Sequence, residues 1–204
     1  MSKPNYMMIS VASCDKVYLK DALELIGELA DGLKSEAGAL VTRYGIVATG
    51  EYTNQLIMIQ TYTDMMGFEA AFDHYGKSGV YDSMKSSPHV QLSIRSMLKI
   101  EDVSLANEVS DKPAIGVMTR WGSDDLKLDK VRGEVGHFEA GGAMVLRYCT
   151  ILSGQTAGRR LLVVGYPSMA AVEQTYERLR ASEGYNQFLT EVDIDWRNIV
   201  RVVG

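Results

Sequence analysis

One stretch of this chain occurs twice. Gly38-Ala39-Leu40-Val41-Thr42-Arg43-Tyr44 returns as Gly142-Ala143-Met144-Val145-Leu146-Arg147-Tyr148, and the register then holds without a gap for about forty residues. Along it Gly50 matches Gly154, Tyr62 matches Tyr166, Ser78 matches Ser182 and Tyr81 matches Tyr185. About a quarter of the aligned positions are identical, against roughly one in sixteen expected for unrelated segments of average composition. A repeat of this length means two copies of one folding unit. Such a chain arises most simply by fusing a homodimer, so that its isologous interface becomes internal.

The copies are separated by Ser104-Leu105-Ala106-Asn107-Glu108-Val109-Ser110-Asp111-Lys112-Pro113, a polar, acidic run ending in proline that reads as a linker. The expected organisation is a first repeat over 1–103, a linker over 104–113 and a second repeat over 114–204.

Within each copy the periodicities give one order of elements. Tyr6 to Ser13 is strand-like. Leu19, Leu23, Ile26, Leu29, Ala30 and Leu33 follow at helical spacing, with Asp15 as the expected N-cap. Leu40 to Ala48 and Leu56 to Tyr62 read as a hairpin across Gly50 and Asn54. A helix from Met65, broken near Gly76 and Gly79, runs to Met84, and Pro88 ends it before a last strand from Val90 to Ile100. The second copy repeats the pattern, and Arg159-Arg160 is expected at its hairpin turn. The order β-α-β-β-α-β is the split βαβ, or ferredoxin-like, arrangement. Its four-stranded sheet carries helices on one face only, and pairing the two bare faces buries both. The predicted fold class is therefore α+β, two tandem ferredoxin-like repeats forming a single-chain dimeric α+β barrel.

Composition narrows the function. Hydrophobic residues make up 46% and the formal net charge is −5, which argues against nucleic-acid binding because phosphate neutralisation needs a clustered basic surface. The chain starts without the apolar core of a secretory signal, and no apolar run approaches the roughly 18 residues of a membrane span. Cys14 and Cys149 lack metal-ligand spacing and read as free thiols of a cytoplasmic protein. Phosphate loops, dinucleotide fingerprints, Cys/His clusters and nucleophile elbows are missing.

Two helical segments carry a family resemblance: Glu177-Arg178-Leu179-Arg180-Ala181-Ser182-Glu183-Gly184-Tyr185-Asn186-Gln187-Phe188-Leu189 and Asp73-His74-Tyr75-Gly76-Lys77-Ser78-Gly79-Val80-Tyr81. Both resemble the antibiotic-biosynthesis-monooxygenase group of the dimeric α+β-barrel superfamily, and the pattern covers nearly the whole chain twice. The resemblance implies a cavity between this helix and the sheet. It also implies a range of activities that includes cofactor-free oxygenases and haem-degrading enzymes. Such a site would hold a small apolar or aromatic, polyketide-like molecule for oxygenation or proton transfer. His74 would act as base and Tyr81 or Arg43 would position an oxygen anion. Arg178 stands at the position of His74 in the second half, so only the first half would be active. No cofactor is expected on this reading. The alternatives are haem bound by His74 or His89, and a non-catalytic binding or structural barrel that fills its own cavities.

Each candidate also has a plainer reading. His74 and His89 suit a helix surface and a loop, and His137 suits a helix C-terminus. Arg43 and Arg147 are duplicated and suit an intersheet ion pair as well as a substrate clamp. The pairs Tyr62/Tyr166 and Tyr81/Tyr185 suit rings in the core with hydroxyls at polar edges. Trp121 and Trp196 occur in the second half alone, where they line a cavity or fill it. The two halves are expected to pair within one chain, with further oligomerisation left open.

Overall fold

The computed structural model describes residues 3–204. The first half consists of β1 (Tyr6–Cys14), α1 (Leu19–Glu36), β2 (Val41–Val47), β3 (Leu56–Tyr62), α2 (Met66–Lys77), α3 (Gly79–Ser86) and β4 (Val90–Ile100). The second consists of β5 (Ile115–Gly122), α4 (Leu128–Ala140), β6 (Val145–Ile151), β7 (Arg160–Tyr166), α5 (Met169–Ala181), α6 (Glu183–Thr190) and β8 (Asp193–Val202). The helix expected after each hairpin is thus two helices. Ser78 and Ser182 leave the helical conformation at the break, and each side chain accepts a hydrogen bond from the backbone N–H three residues on, at Tyr81 and Tyr185. A serine hydroxyl there satisfies one of the orphan donors of the new helix.

The eight strands close into one barrel in the order β1-β3-β2-β8-β5-β7-β6-β4. All neighbours are antiparallel, so the β2–β3 and β6–β7 turns lie at the same end. Two seams join the halves: Gly45–Val47 pairs with Val200–Val202, and Leu98–Ile100 with Cys149–Ile151. Gly45 is obligatory at its seam, because a Cβ there would lie 2.0 Å from the Arg201 carbonyl oxygen.

Strand alternation sorts the core into three layers. Met7, Ile9, Val11, Val47, Ile57, Leu98, Met118, Cys149, Leu161 and Val200 fill the barrel between the sheets. Met8, Leu56 and Met58 face outward against α1, α2 and α3, and Leu146, Val164 and Tyr148 do the same against α4, α5 and α6. Each bare sheet face is covered by its sister, as the repeat requires.

One sequence expectation is corrected and another gains detail. Asp15 does not cap α1: it precedes a short 3-10 turn, Lys16–Tyr18, makes no capping bond, and instead accepts from His89 Nδ1 at 2.8 Å. The segment read as a linker is docked against the second half. Val103 and Leu105 are buried in the core of the second half, and Arg132 donates to the Asp102 carbonyl at 2.9 Å. The polar pattern concealed this because one leucine with a valine just ahead of the run suffices to anchor a short segment. Arg159 and Arg160 stand at the start of β7 beside the turn, where Arg159 donates to Asp193 at 2.9 Å.

Candidate functional site

The same polar constellation is built in both halves. Ser10 on β1 and Arg95 on β4 are register partners, as are Thr119 on β5 and Arg197 on β8. Arg95 Nε donates to Ser10 Oγ at 3.0 Å and its Nη2 to the Tyr81 hydroxyl at 3.3 Å. Arg197 donates to Thr119 Oγ1 at 3.1 Å and to the Tyr185 hydroxyl at 3.4 Å. Each guanidinium also lies over an aromatic ring, Arg95 at 4.3 Å from the Tyr75 centroid and Arg197 at 5.0 Å from that of Tyr176, a favourable cation–π arrangement. Arg120, Arg147 and Arg159 pair with Asp195, Glu108 and Asp193. Arg95 meets no carboxylate among the described residues.

What differs is the space in front of the arginine. In the first half Arg95, Ser10, Tyr75 and Tyr81 face a cavity of about 200 Å³, whose apolar walls include Ala12, Ile26, Leu29, Leu56, Met58 and Met84. In the second half the cavity is about 40 Å³. The cause is local. Beside a register shift that leaves one extra residue on the neighbouring strand, Ser93 on β4 and Asp195 on β8, the helix-facing residue two places beyond Ser10 or Thr119 differs between the halves. That residue is alanine in one half and tryptophan in the other. Trp121 is 2% exposed; it stacks on Tyr148 at 5.4 Å and meets Phe188 edge-on at 5.4 Å. Phe188 in turn stands where the first half has Met84.

Tyr75 is fixed from behind. Gln60, wholly buried, donates to the Tyr75 hydroxyl at 2.5 Å and accepts from the Tyr62 hydroxyl at 2.7 Å. Burial pushes the Tyr75 phenol above its ordinary value, against the lowering effects of Arg95 and of the Gln60 hydrogen bond. Burial likewise holds Tyr62 neutral well beyond the usual range. The cavity therefore presents the cations of Arg95 and, at its edge, Lys85, together with hydroxyls and apolar surface, and no carboxylate or imidazole in its lining.

A third cavity, of about 490 Å³, lies inside the barrel beneath the β2–β3 and β6–β7 turns, lined in part by Tyr52, Met118, Arg120 and Trp196. Its other guanidinium, Arg120, is already neutralised by Asp195 through bonds of 3.0 and 3.1 Å, so Arg95, which it shares with the first cavity, is its unpaired cation.

Of the three residues singled out from the sequence, the structure brings only Tyr81 to the first cavity. His74 lies on the far side of α2, where its ring abuts Gly32 of α1 and Nδ1 sits 3.2 Å from Glu36. Arg43 projects from β2 and donates to the Thr42 and Ser110 carbonyls at 2.9 and 3.4 Å. Its repeat partner Arg147 donates to Glu108 at 2.8 Å. Both duplicated arginines thus hold the segment between the halves, where an intersheet pair or a clamp had been expected. His89 packs on Tyr18 and pairs with Asp15, and His137 lies 3.7 Å from Glu134. Haem ligated by His74 or His89 would need that imidazole to face a cavity; no imidazole lines any of these three cavities, so neither histidine is placed for that role. Among the described residues no group of three His, Cys, Asp or Glu side chains could hold a metal ion, and no helix is long and apolar enough to cross a membrane.

Arg95 and Ser10 were missed from the sequence. Their signal is the duplicated arginine of the last strand, hidden because the chain between the last helix and that strand is two residues shorter in the second half. Arg95 and Arg197 are 102 apart, whereas Tyr81 and Tyr185 are 104 apart.

Barrel, helices and duplicated constellation define a single-chain protein with the fold of a dimeric α+β barrel. The profile of a domain family of unknown function (DUF6854) matches residues 4–100 and 123–202, and the chain belongs to that family. No curated protein matches it in sequence. Solved structures are similar in fold. A candidate monooxygenase from Fusobacterium nucleatum superposes with a TM-score of 0.69 at 10% identity, covering 100% of this chain and 94% of its own. A chlorite dismutase variant from Candidatus Nitrospira defluvii gives 0.64 at 5%, covering 100% and 93%. A haem-binding protein from Thermus thermophilus gives 0.61 at 10%, covering 98% and 92%. At such identities the likeness concerns the fold.

Proposed function

We propose that this protein binds a small, largely aromatic molecule bearing an anionic oxygen, with the apolar body in the first-half cavity and the oxygen at Arg95 and Tyr81. The observation that carries this reading is the guanidinium of Arg95, which faces an apolar cavity without a carboxylate to neutralise it. A cation so placed favours a carboxylate or phenolate, which it can hold through charge-assisted hydrogen bonds. The walls supply an apolar surface with a few convergent polar groups, as small-molecule sites usually do. Oxygenation of a bound phenolate is the reaction to test first, given a similarly folded candidate monooxygenase. The placement of His74 gives no support to it as the base.

The test is isothermal titration with 1-naphthoate and with the uncharged 1-naphthalenemethanol. The carboxylate should bind the more tightly. Arg95→Met should weaken it about 10- to 100-fold, the equivalent of a lost charged hydrogen bond of about 1.5–3 kcal/mol. Arg197→Met should leave it unchanged. Equal affinity for the two compounds, or a folded Arg95→Met variant that binds as the wild type does, would sink the assignment.

A further inference from the structure

We infer that the second half holds a silenced copy of the same site, in which the Trp121 indole occupies the place that the ligand's ring system takes in the first half. This rests on the binding reading above and deepens it, because the plug indicates the ligand's shape: a flat, bicyclic aromatic of about indole size with an oxyanion at one end.

Four observations converge. The anion-facing constellation is intact in the second half, since Arg197 keeps its serine-like partner Thr119, its tyrosine partner Tyr185 and an aromatic shelf in Tyr176. A purely structural remnant would have no reason to keep the guanidinium aimed at a space from which the ligand is excluded. Trp121 and Ala12 hold equivalent places, each two residues beyond the arginine's hydroxyl partner on the helix-facing side of its strand and beside the same register shift. The first-half cavity, about 200 Å³ against about 40 Å³, is open beside Ala12 and Met84, the positions that Trp121 and Phe188 fill. Finally, charge closes what bulk does not. Glu134 lines the second cavity, where the first has its counterpart Leu29, counted from Leu33 and Phe138, whose carbonyls accept the equivalent bonds from Ala39 and Ala143, and its carboxylate would repel an anion approaching Arg197.

The second half therefore contributes fold and the first half contributes the site, with one ligand per fused chain. Two changes should undo the silencing: Trp121→Ala for the space and Glu134→Ala for the charge.

The experiment is titration with 1-naphthoate, with near-UV circular dichroism to establish that each variant is folded. The wild type should take one equivalent and the Trp121→Ala/Glu134→Ala variant two. Adding Arg197→Met should return the stoichiometry to one. Conversely, Ala12→Trp should abolish binding by the otherwise unaltered chain. A folded double variant that still takes one equivalent overturns the inference, as does an Ala12→Trp chain that keeps its equivalent. The second of these decides the matter if the double variant does not fold. A wild type that takes none removes the binding reading itself, and the second half is then judged separately by whether the double variant gains an equivalent.

Discussion

Replacing Gln60 by leucine tests the way the site is held. The side chain is wholly buried between two phenols, with Tyr62 donating to its carbonyl and its amide donating to Tyr75. Leucine has nearly the same size and removes both bonds. Each stranded hydroxyl then bears the cost of an unmet buried polar group, about 1–3 kcal/mol. Tyr75 keeps only a weak sulfur contact to Met8 at 3.9 Å, and the leucine itself is easier to bury than an amide. The balance is a loss of about 3 kcal/mol. For a domain of this size each kcal/mol lowers Tm by roughly 2–4 °C, so Tm should fall by about 6–12 °C. Urea unfolding followed by circular dichroism gives the free energy by linear extrapolation. The reasoning has a sharper consequence. Removing the stranded hydroxyls as well, in Gln60→Leu/Tyr62→Phe/Tyr75→Phe, should recover stability to within about 1 kcal/mol of the wild type, because an apolar trio has nothing left to satisfy. A triple variant no more stable than Gln60→Leu alone would refute the argument that unmet hydroxyls carry the loss.

Other consequences are quickly checked. Burial raises the phenols of Tyr62, Tyr148 and Tyr166, so above about pH 10 the unfolded chain loses protons that the native one keeps, and stability falls with rising pH. Tyrosinate absorbance from these rings should appear together with unfolding; ionisation of all eleven tyrosines in a folded chain would contradict it. Cys149 is buried and its thiol is pushed up by that burial, whereas Cys14 is half-exposed. A thiol reagent should thus label Cys14 in the native protein and both residues only in denaturant; rapid native labelling of two thiols would refute the packing of Cys149. Leu105→Ala should cost about 2–3 kcal/mol, measured by the urea midpoint, because its side chain is anchored in the second-half core; a change below about 0.5 kcal/mol would show the segment to be a loose tether.

The repeat made the fold legible, since a ferredoxin-like order written twice leaves two bare sheet faces that can only cover each other. The segment between the copies was less legible, because its anchoring by Val103 and Leu105 is not periodic. The site was legible in part. Tyr81 stood out through its duplicate Tyr185, but the arginine beside it did not, because a difference of two residues before the last strand moves Arg95 out of register with Arg197. His74 drew attention as a scarce residue type next to a conspicuous tyrosine. Residue chemistry alone does not say which way a helix turns its side chains, and α2 turns His74 toward Gly32 and Glu36 while Tyr75, one position on, faces the sheet.

The contrast between Ala12 and Trp121 has a consequence for how such a protein can change. In a homodimer every substitution is made twice, so a residue that opens a cavity weakens both subunits, and one that fills it abolishes both sites. Joining the subunits into one chain halves the dose. An open cavity forgoes apolar burial on one side alone, while the indole on the other restores a packed core. The fused chain can therefore tolerate a larger, less stable pocket than a homodimer of the same fold could, with one half acting as ballast for the other.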